Sequence, residues 1–196
     1  MTTMFRLFTF FILMLLGPRA WSQESGSATS APKAEDEFGA KKNETKITEV
    51  VTTDSVPSSE LLQRAVNWIK VESLKYKKAS GTTSSSKAEC TASFPVKPKQ
   101  LNPEVDYTGK ITMKVVIECK ASKYRYTVSD IRHVSKNGRT TGGSIDNLVP
   151  ECGSNAMNEM VWKKLKGEAM RGAGLVVQDL KEGMQKASNE VPSDDW

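Results

Sequence analysis

Residues 110–129 read KITMKVVIECKASKYRYTVS, and their alternation decides the fold. Ile111, Met113, Val115, Ile117 and Cys119 are interleaved with Lys110, Thr112, Lys114, Val116, Glu118 and Lys120. A period of two sends successive side chains to opposite faces of a strand, so the first set faces a core and the second faces solvent. After Ala121-Ser122 the pattern resumes with Tyr124, Tyr126 and Val128 against Arg125, Thr127 and Ser129. So short a connection makes the two runs a hairpin. Pairing Lys120 with Lys123 sets Cys119 opposite Tyr124, Ile117 opposite Tyr126 and Val115 opposite Val128 on one face, with Glu118 opposite Arg125 on the other.

Upstream, Ala88, Cys90, Ala92, Phe94 and Val96 alternate with Glu89, Thr91, Ser93 and Pro95, which predicts a further half-buried strand. The Gly/Ser/Thr stretch Ser80–Ser86 before it reads as a loop. Leu61, Leu62, Ala65, Val66 and Ile69 recur at helical spacing with Trp68 beside them. Pro57-Ser58-Ser59-Glu60 opens that helix, a serine capping the free amides and Glu60 meeting the dipole. The β-branched stretch Thr45–Thr53 predicts a first strand.

Downstream, the alternation breaks at Asp130-Ile131, where a bulge or strand end is expected. Residues 138–150 are polar and Gly-rich, with a short fifth strand expected near 144–149. From Ser154 a helical pattern returns in Met157, Val161, Leu165, Ala169, Ala173, Val176, Leu180 and Met184. Gly172 and Gly174 predict a kink or break in it. Strand, helix, three or four antiparallel strands and helix make an α+β two-layer sandwich. Its antiparallel sheet has four or five strands and carries both helices on one face (β-α-β-β-β-(β)-α) over residues 45–187.

The helix Glu60–Ile69 (ELLQRAVNWI) and the strand Lys123–Asp130 (KYRYTVSD), followed by a long helix, resemble an exported bacterial family. It is a domain of unknown function with a TATA-binding-protein-like fold, and the resemblance runs from about Thr45 to Lys186. The Ser-rich stretch 80–86 and the cysteines Cys90 and Cys119 depart from the family pattern. With no activity assigned to the family, the resemblance implies fold and export alone.

Export also has support in the residues themselves. Arg6 precedes the apolar run Leu7–Leu16, Gly17-Pro18 breaks it, and Ala20 and Ser22 stand where a signal peptidase reads small residues. Crossing the hydrocarbon core takes about 20 apolar residues, twice this run, so residues 1–22 read as a cleaved signal and no stable membrane span is expected afterwards. A periplasmic or secreted location follows. Residues 23–44 are too poor in apolar surface to offset the entropy of ordering them and read as a disordered leader, while 188–196 read as a flexible tail.

The chemistry is notable for what it lacks. The 196 residues carry 28 Lys+Arg against 23 Asp+Glu, a net +5 that falls to +3 when the signal takes Arg6 and Arg19 away. No run of basic residues exceeds two, so the charge reads as an ordinary solvated surface. His133 is the sole histidine, placed near a strand end where a surface role is commoner than a catalytic one. No Gly-x-Ser-x-Gly elbow accompanies it. The cysteines lack zinc spacing, and residues 138–143 lack the ending of a phosphate-binding loop, so no catalytic residue, cofactor or metal is expected. The open sheet face carries Thr91, Ser93, Lys114, Val116, Glu118, Arg125, Thr127 and Ser129 without an aromatic, which argues against nucleic acid.

Two functions remain. The first is an exported, non-enzymatic binding or accessory domain whose partner is a protein or a small molecule. The second is a carrier of small hydrophobic ligands, its cavity between the sheet and the last helix lined by Met113, Tyr124, Tyr126, Met157 and Met160. A register setting Phe94 opposite Val115 also sets Cys90 opposite Cys119, at disulfide range in an oxidising compartment. Two buried thiols are the alternative, and Cys152 is left over. The leader predicts an exported chain cut between Ser22 and Gln23, to be read by intact mass and N-terminal sequencing. A chain keeping Met1 in a membrane fraction would overturn it.

Overall fold

The hairpin occupies the middle of the sheet. The computed structural model describes residues 44–98 and 104–186; the expected signal, nearly all of the leader, and the tail lie outside the described residues. The elements are β1 (Ile47–Thr52), α1 (Ser58–Lys70), β2 (Lys77–Thr83), β3 (Lys87–Val96), β4 (Gly109–Lys120), β5 (Lys123–Ser135), β6 (Gly143–Ser144) and α2 (Glu159–Gln185). The strands form one antiparallel sheet in the order β1-β5-β4-β3-β2, with β6 also on β5.

The expected hairpin register holds from Lys120 opposite Lys123 to Val115 opposite Val128. Ser122, at φ +59°, supplies the left-handed residue that closes the turn. Ile111, Met113, Val115, Ile117, Cys119, Tyr124, Tyr126 and Val128 are all buried. Both helices cover this face and touch each other. α1 buries Leu61, Ala65, Trp68 and Ile69, and α2 buries a stripe from Val161 to Met184. Each large aliphatic side chain so buried contributes roughly 1.5–3 kcal/mol, which makes this interface the main source of stability. On the bare face, Arg125 pairs with Glu118 at 2.6 Å, and Glu89 is shared by Lys87 and Lys114.

The structure departs from the sequence expectations at the edges and at the glycines. β2 lies where a loop was expected, bringing the sheet to six strands counting β6. Its residues are exposed except for Lys78, so no apolar period announces it; backbone pairing with β3 makes it a strand. Of the expected strand at 144–149, the structure has the two-residue β6. Pro57, not a serine, holds the cap position of α1, without a side-chain cap. α2 runs unbroken for 27 residues, its N-terminus capped by Asn158, whose side chain accepts from the Val161 N–H at 3.0 Å. Gly172 does not kink it: the Phe94 ring lies where a Cβ would stand, and at Gly183 a Cβ would meet Trp68 Cδ1 at 2.6 Å. A mid-helix glycine costs about 0.5–1 kcal/mol against alanine, and here close approach of an aromatic ring offsets it.

The β3–β4 register is displaced by four residues. Phe94 faces Ile111 and Cys90 faces Val115. An even shift keeps every side chain on its face, so alternation is blind to it, and the loop joining these strands is too long to pin the pairing. The break at Asp130 is a bulge: Asp130 has φ +49°, and the β4–β5 register slips between Thr112 and Lys114. Beyond it the buried residues of β5 change from Tyr124, Tyr126 and Val128 to Ile131, His133 and Ser135.

The helix packing predicts opposite signs for two neighbouring substitutions. Gly172→Ala drives a methyl into Phe94 and is expected to destabilise by about 1–3 kcal/mol. Gly174→Ala points into open space and is expected to stabilise by about 0.5–1 kcal/mol. Urea unfolding of both variants reads the difference, and equal signs would mean that Phe94 does not seat on Gly172.

Candidate functional site

At one end of the sandwich the end of β1, the start of β5, α1 and the last turns of α2 enclose a groove of about 340 Å³. Alternation carries Tyr124 inward from β5, and the residue facing it on β1 is Val51. Arg64 lies one turn beyond Glu60 on α1 and donates to it through Nε at 3.0 Å. Its Nη1 donates to the Met184 carbonyl at 3.1 Å, serving one of the carbonyls that the end of a helix leaves free. Lys181 reaches across from α2 to Glu49 on β1, at 2.6 and 2.8 Å to its two oxygens, and lies 5.7 Å from the Tyr126 ring centre.

Tyr126 donates its hydroxyl to the same carboxylate. The Lys181 ammonium, then this hydroxyl, hold the Glu49 carboxyl below the usual range. Burial, then the Glu49 charge, hold the Tyr126 hydroxyl well above its own. The ions of this part of the groove therefore satisfy one another. Two hydroxyls are left over. Thr53 Oγ1 is sealed from solvent without a hydrogen-bond partner. The hydroxyl of Tyr124, a residue 2% exposed, has no hydrogen-bond partner among the described residues. Burial raises its pKa, the nearby Lys181 charge opposing. A buried hydroxyl without a partner costs about 1–3 kcal/mol, and of these two that cost falls on Thr53 alone.

The five residues named for a hydrophobic cavity do not come together around one. Met113, Tyr126 and Met157 are core, Tyr124 lines the polar groove, and Met160 is 53% exposed. Met160 sits on the flank of the stripe that buries Met157, Val161 and Leu165, and a spacing of three admits such a flanking residue as readily as a buried one. Arg64, Thr53, Glu49 and Lys181 went unnoticed in the sequence because each lies off an apolar stripe. The Glu60/Arg64 spacing of four was the one readable signal.

Cys90 and Cys119 are not opposed. Cys119 donates its backbone N–H to the Ser86 carbonyl, four residues before Cys90 on the partner side. That offset is about 13 Å of strand, beyond the roughly 7 Å that a disulfide spans. All three cysteines are free thiols, and burial pushes Cys90 and Cys119 up to about 11. Beside Cys90, Lys78 folds under the helices. Its Nζ is 4.5 Å from the Trp68 ring centre, 5.5 Å from that of Tyr76 and 3.8 Å from Asp179 Oδ2. Asp179 also accepts from Trp68 Nε1 at 2.9 Å and from the Tyr76 hydroxyl. Burial lowers the Lys78 pKa, with Asp179 acting against it. This cation–π cage ties the polar edge strand β2 to both helices.

His133 is fully buried, where a surface position was expected, because the Asp130 bulge turns it inward. Its Nδ1 accepts from the Gly142 N–H at 3.1 Å, so the proton sits on Nε2. That atom faces the backbone at Tyr107 and Gly109 without a hydrogen bond of ordinary geometry. Burial lowers the pKa below 6.5, and the Tyr107 backbone pulls the other way. No group of three His, Cys, Asp or Glu among the described residues is arranged to hold a metal.

The architecture defines a two-layer α+β domain with a polar groove at one end of its sheet. The chain matches no family profile and no curated protein sequence. Among solved structures it is similar to a DUF4468 family protein from Bacteroides ovatus, with 6% identity, a TM-score of 0.52, and coverage of 74% of this chain and 89% of that one. It is also similar to a TBP-like protein from Parabacteroides distasonis, with 15% identity, a TM-score of 0.49, and coverage of 74% and 94%. The DUF4468 family structure shares the two-layer α+β fold that the sequence resemblance implied. At these identities the likeness is one of fold.

His133 sets a pH dependence. Its folded pKa lies below the unfolded 6.5, so the unfolded chain binds more protons, and stability is complete above about 6.5 and falls as the pH drops below it. Lowered carboxylates such as Glu49 and Glu89 act separately, below about 4.5. Urea midpoints are expected to decline from pH 6.5 toward 5 in the native chain and to stay flat in His133→Asn. A native profile flat over that range would mean an exposed imidazole.

Proposed function

We propose that the chain is an exported binding or accessory domain with no catalytic chemistry of its own, working in the periplasm or outside the cell. The observation that carries this reading is the groove. Lys181 is spent on Glu49 and Arg64 on Glu60, and the Tyr124 hydroxyl and a guanidinium N–H at the wall suit holding a ligand better than moving its protons. Tyr124 and Tyr126 both have raised pKa values and stay protonated, so neither is available to accept a proton. The signal-like residues 1–22 support export. No described helix is long and apolar enough to cross a membrane.

The bare sheet face supports a partner other than nucleic acid. Lys87, Lys114 and Arg125 lie in ion pairs with Glu89 and Glu118, and the outward residues of β3, β4 and β5 ahead of the Asp130 bulge include no aromatic on which a base would stack. The carrier reading has less support, since the apolar residues it needs are packed core or, for Met160, outside. Protein recovered from the exported fraction and sprayed under native conditions is expected to carry a bound molecule that leaves on denaturation. Cytoplasmic retention, or turnover of an ester, phosphate or glycoside probe by the purified chain, would overturn the proposal.

A further inference from the structure

We propose that the free edge of β1 pairs with β1 of a second copy of this chain, joining two sheets antiparallel about a two-fold axis at Val50. This pairing depends neither on export nor on the groove. The two edges of the sheet are built differently. β2 carries Lys77, Lys78 and Gly81 and breaks its register between Ser80 and Thr83, features that keep an edge from pairing. β1 has none of them. Its six residues include no proline, glycine or lysine, and its register on β5 is unbroken from Ile47 to Thr52. Its one charge, Glu49, faces the helices and is met by Lys181. The Thr53 N–H donates to the Ser122 carbonyl opposite it, which fixes the phase of the ladder. Ile47, Glu49 and Val51 therefore spend their backbone on β5, while Thr48, Val50 and Thr52 turn theirs outward. Among the described residues nothing meets those outward N–H and C=O groups. All three residues are exposed, Val50 at 57%.

The side chains along this edge select the occupant. On the bare face they run Lys46, Thr48, Val50, Thr52, Asp54, an order that complements itself when reversed. With Val50 opposite Val50 of the second copy, Thr48 faces Thr52, and Lys46 comes toward Asp54 at both ends. Every outward N–H and C=O of the strand then has a partner. Slipping the pairing by two residues either way leaves part of each strand unpaired, and one such slip opposes Glu49 to itself. An odd slip opposes edge-facing backbone to backbone already spent on β5. The window also fits. Thr45 is tied to Asp146 at 2.9 Å before the strand, and the chain turns off at Ser55, φ +54°, after it. In the paired register the second copy's own turn leads it away before it reaches Asp146. The two Arg125 side chains stand three strand spacings apart, about 14 Å, beyond the screening length. Pairing over six residues makes a small interface, so the dimer is in a concentration-dependent equilibrium.

Sedimentation of the purified chain from about 10 µM to about 1 mM is expected to show the mass doubling, with a dissociation constant on the order of 100 µM. Over that range the amide resonances of Thr48, Val50 and Thr52 are expected to move, and those of Glu49 and Val51 to stay protected throughout. Val50→Glu gains Arg125 as a cross-strand neighbour within the chain but opposes two carboxylates at the axis. It is expected to keep the melting temperature and to weaken pairing at least about tenfold. In a Cys152→Ser background, Val50→Cys sets two thiols opposite each other at an α-carbon spacing of about 5.5 Å and is expected to cross-link on mild oxidation. Thr48→Cys, about 13 Å along the strand from its counterpart, is not. A monomer at every concentration, pairing unchanged by Val50→Glu, or equal cross-linking at positions 48 and 50 would overturn the proposal. A chain that is monomeric by itself, and whose Val50→Cys variant cross-links to a different protein, would give the edge to that partner and overturn the second copy as its occupant.

Discussion

The sandwich depends on burying the inward rows of the central hairpin. The rows run straight across the sheet: Glu49, Tyr126, Ile117 and Ala88 in one, and Ile47, Val128, Val115 and Cys90 in the next. Each row needs a cover, and the two helices supply it. α2 comes close because it offers glycine at Gly172 and Gly183, where Phe94 and Trp68 would otherwise collide with it. A longer side chain at either position would lift the helix off the rows it must shield, so the composition of α2 follows from the rings beneath it.

The groove exists because the rows run out. β3 pairs β4 only as far as Lys87 opposite Glu118, so the row holding Val51, Tyr124 and Cys119 has no β3 strand residue beyond it. Tyr124 is inward by alternation, but at that end it meets Arg64 and Lys181 in place of apolar side chains. One row further in, Tyr126 finds Glu49 across the β1–β5 pairing, and Lys181 closes over both. Two tyrosines of one strand thus differ in satisfaction by their distance from the end of the sheet. The deeper one is structural, and the outer one keeps a hydroxyl to offer.

The Asp130 bulge acts on the other end of β5. By inserting one residue it exchanges the faces of everything downstream, so His133 enters the core and Gly142 is drawn in to cap its Nδ1. The same strand therefore contributes a polar site at its start and a buried titratable ring near its end. A domain with few polar groups in its core places both beyond the well-packed middle, where desolvation is least well offset by packing.

The hairpin, its register, the inward faces, the helical stripes and the α+β class were legible in residues 45–187, because period and turn length are local properties of a chain. Alternation over 110–129 left one way to bury five apolar residues of β4, and the short turn at Ala121-Ser122 left one register. The tertiary structure decided the rest. It chose the β3–β4 register, since a shift of four residues preserves every face and a long loop does not constrain it, and so it separated Cys90 from Cys119. It made β2 a strand from exposed polar residues through backbone pairing alone. It also brought Thr53, Arg64, Tyr124 and Lys181 together from the loop after β1 and from three elements, spread over more than half the chain. Periodicity reports which face a residue occupies, but the contact between residues far apart in sequence is set only when the layers pack.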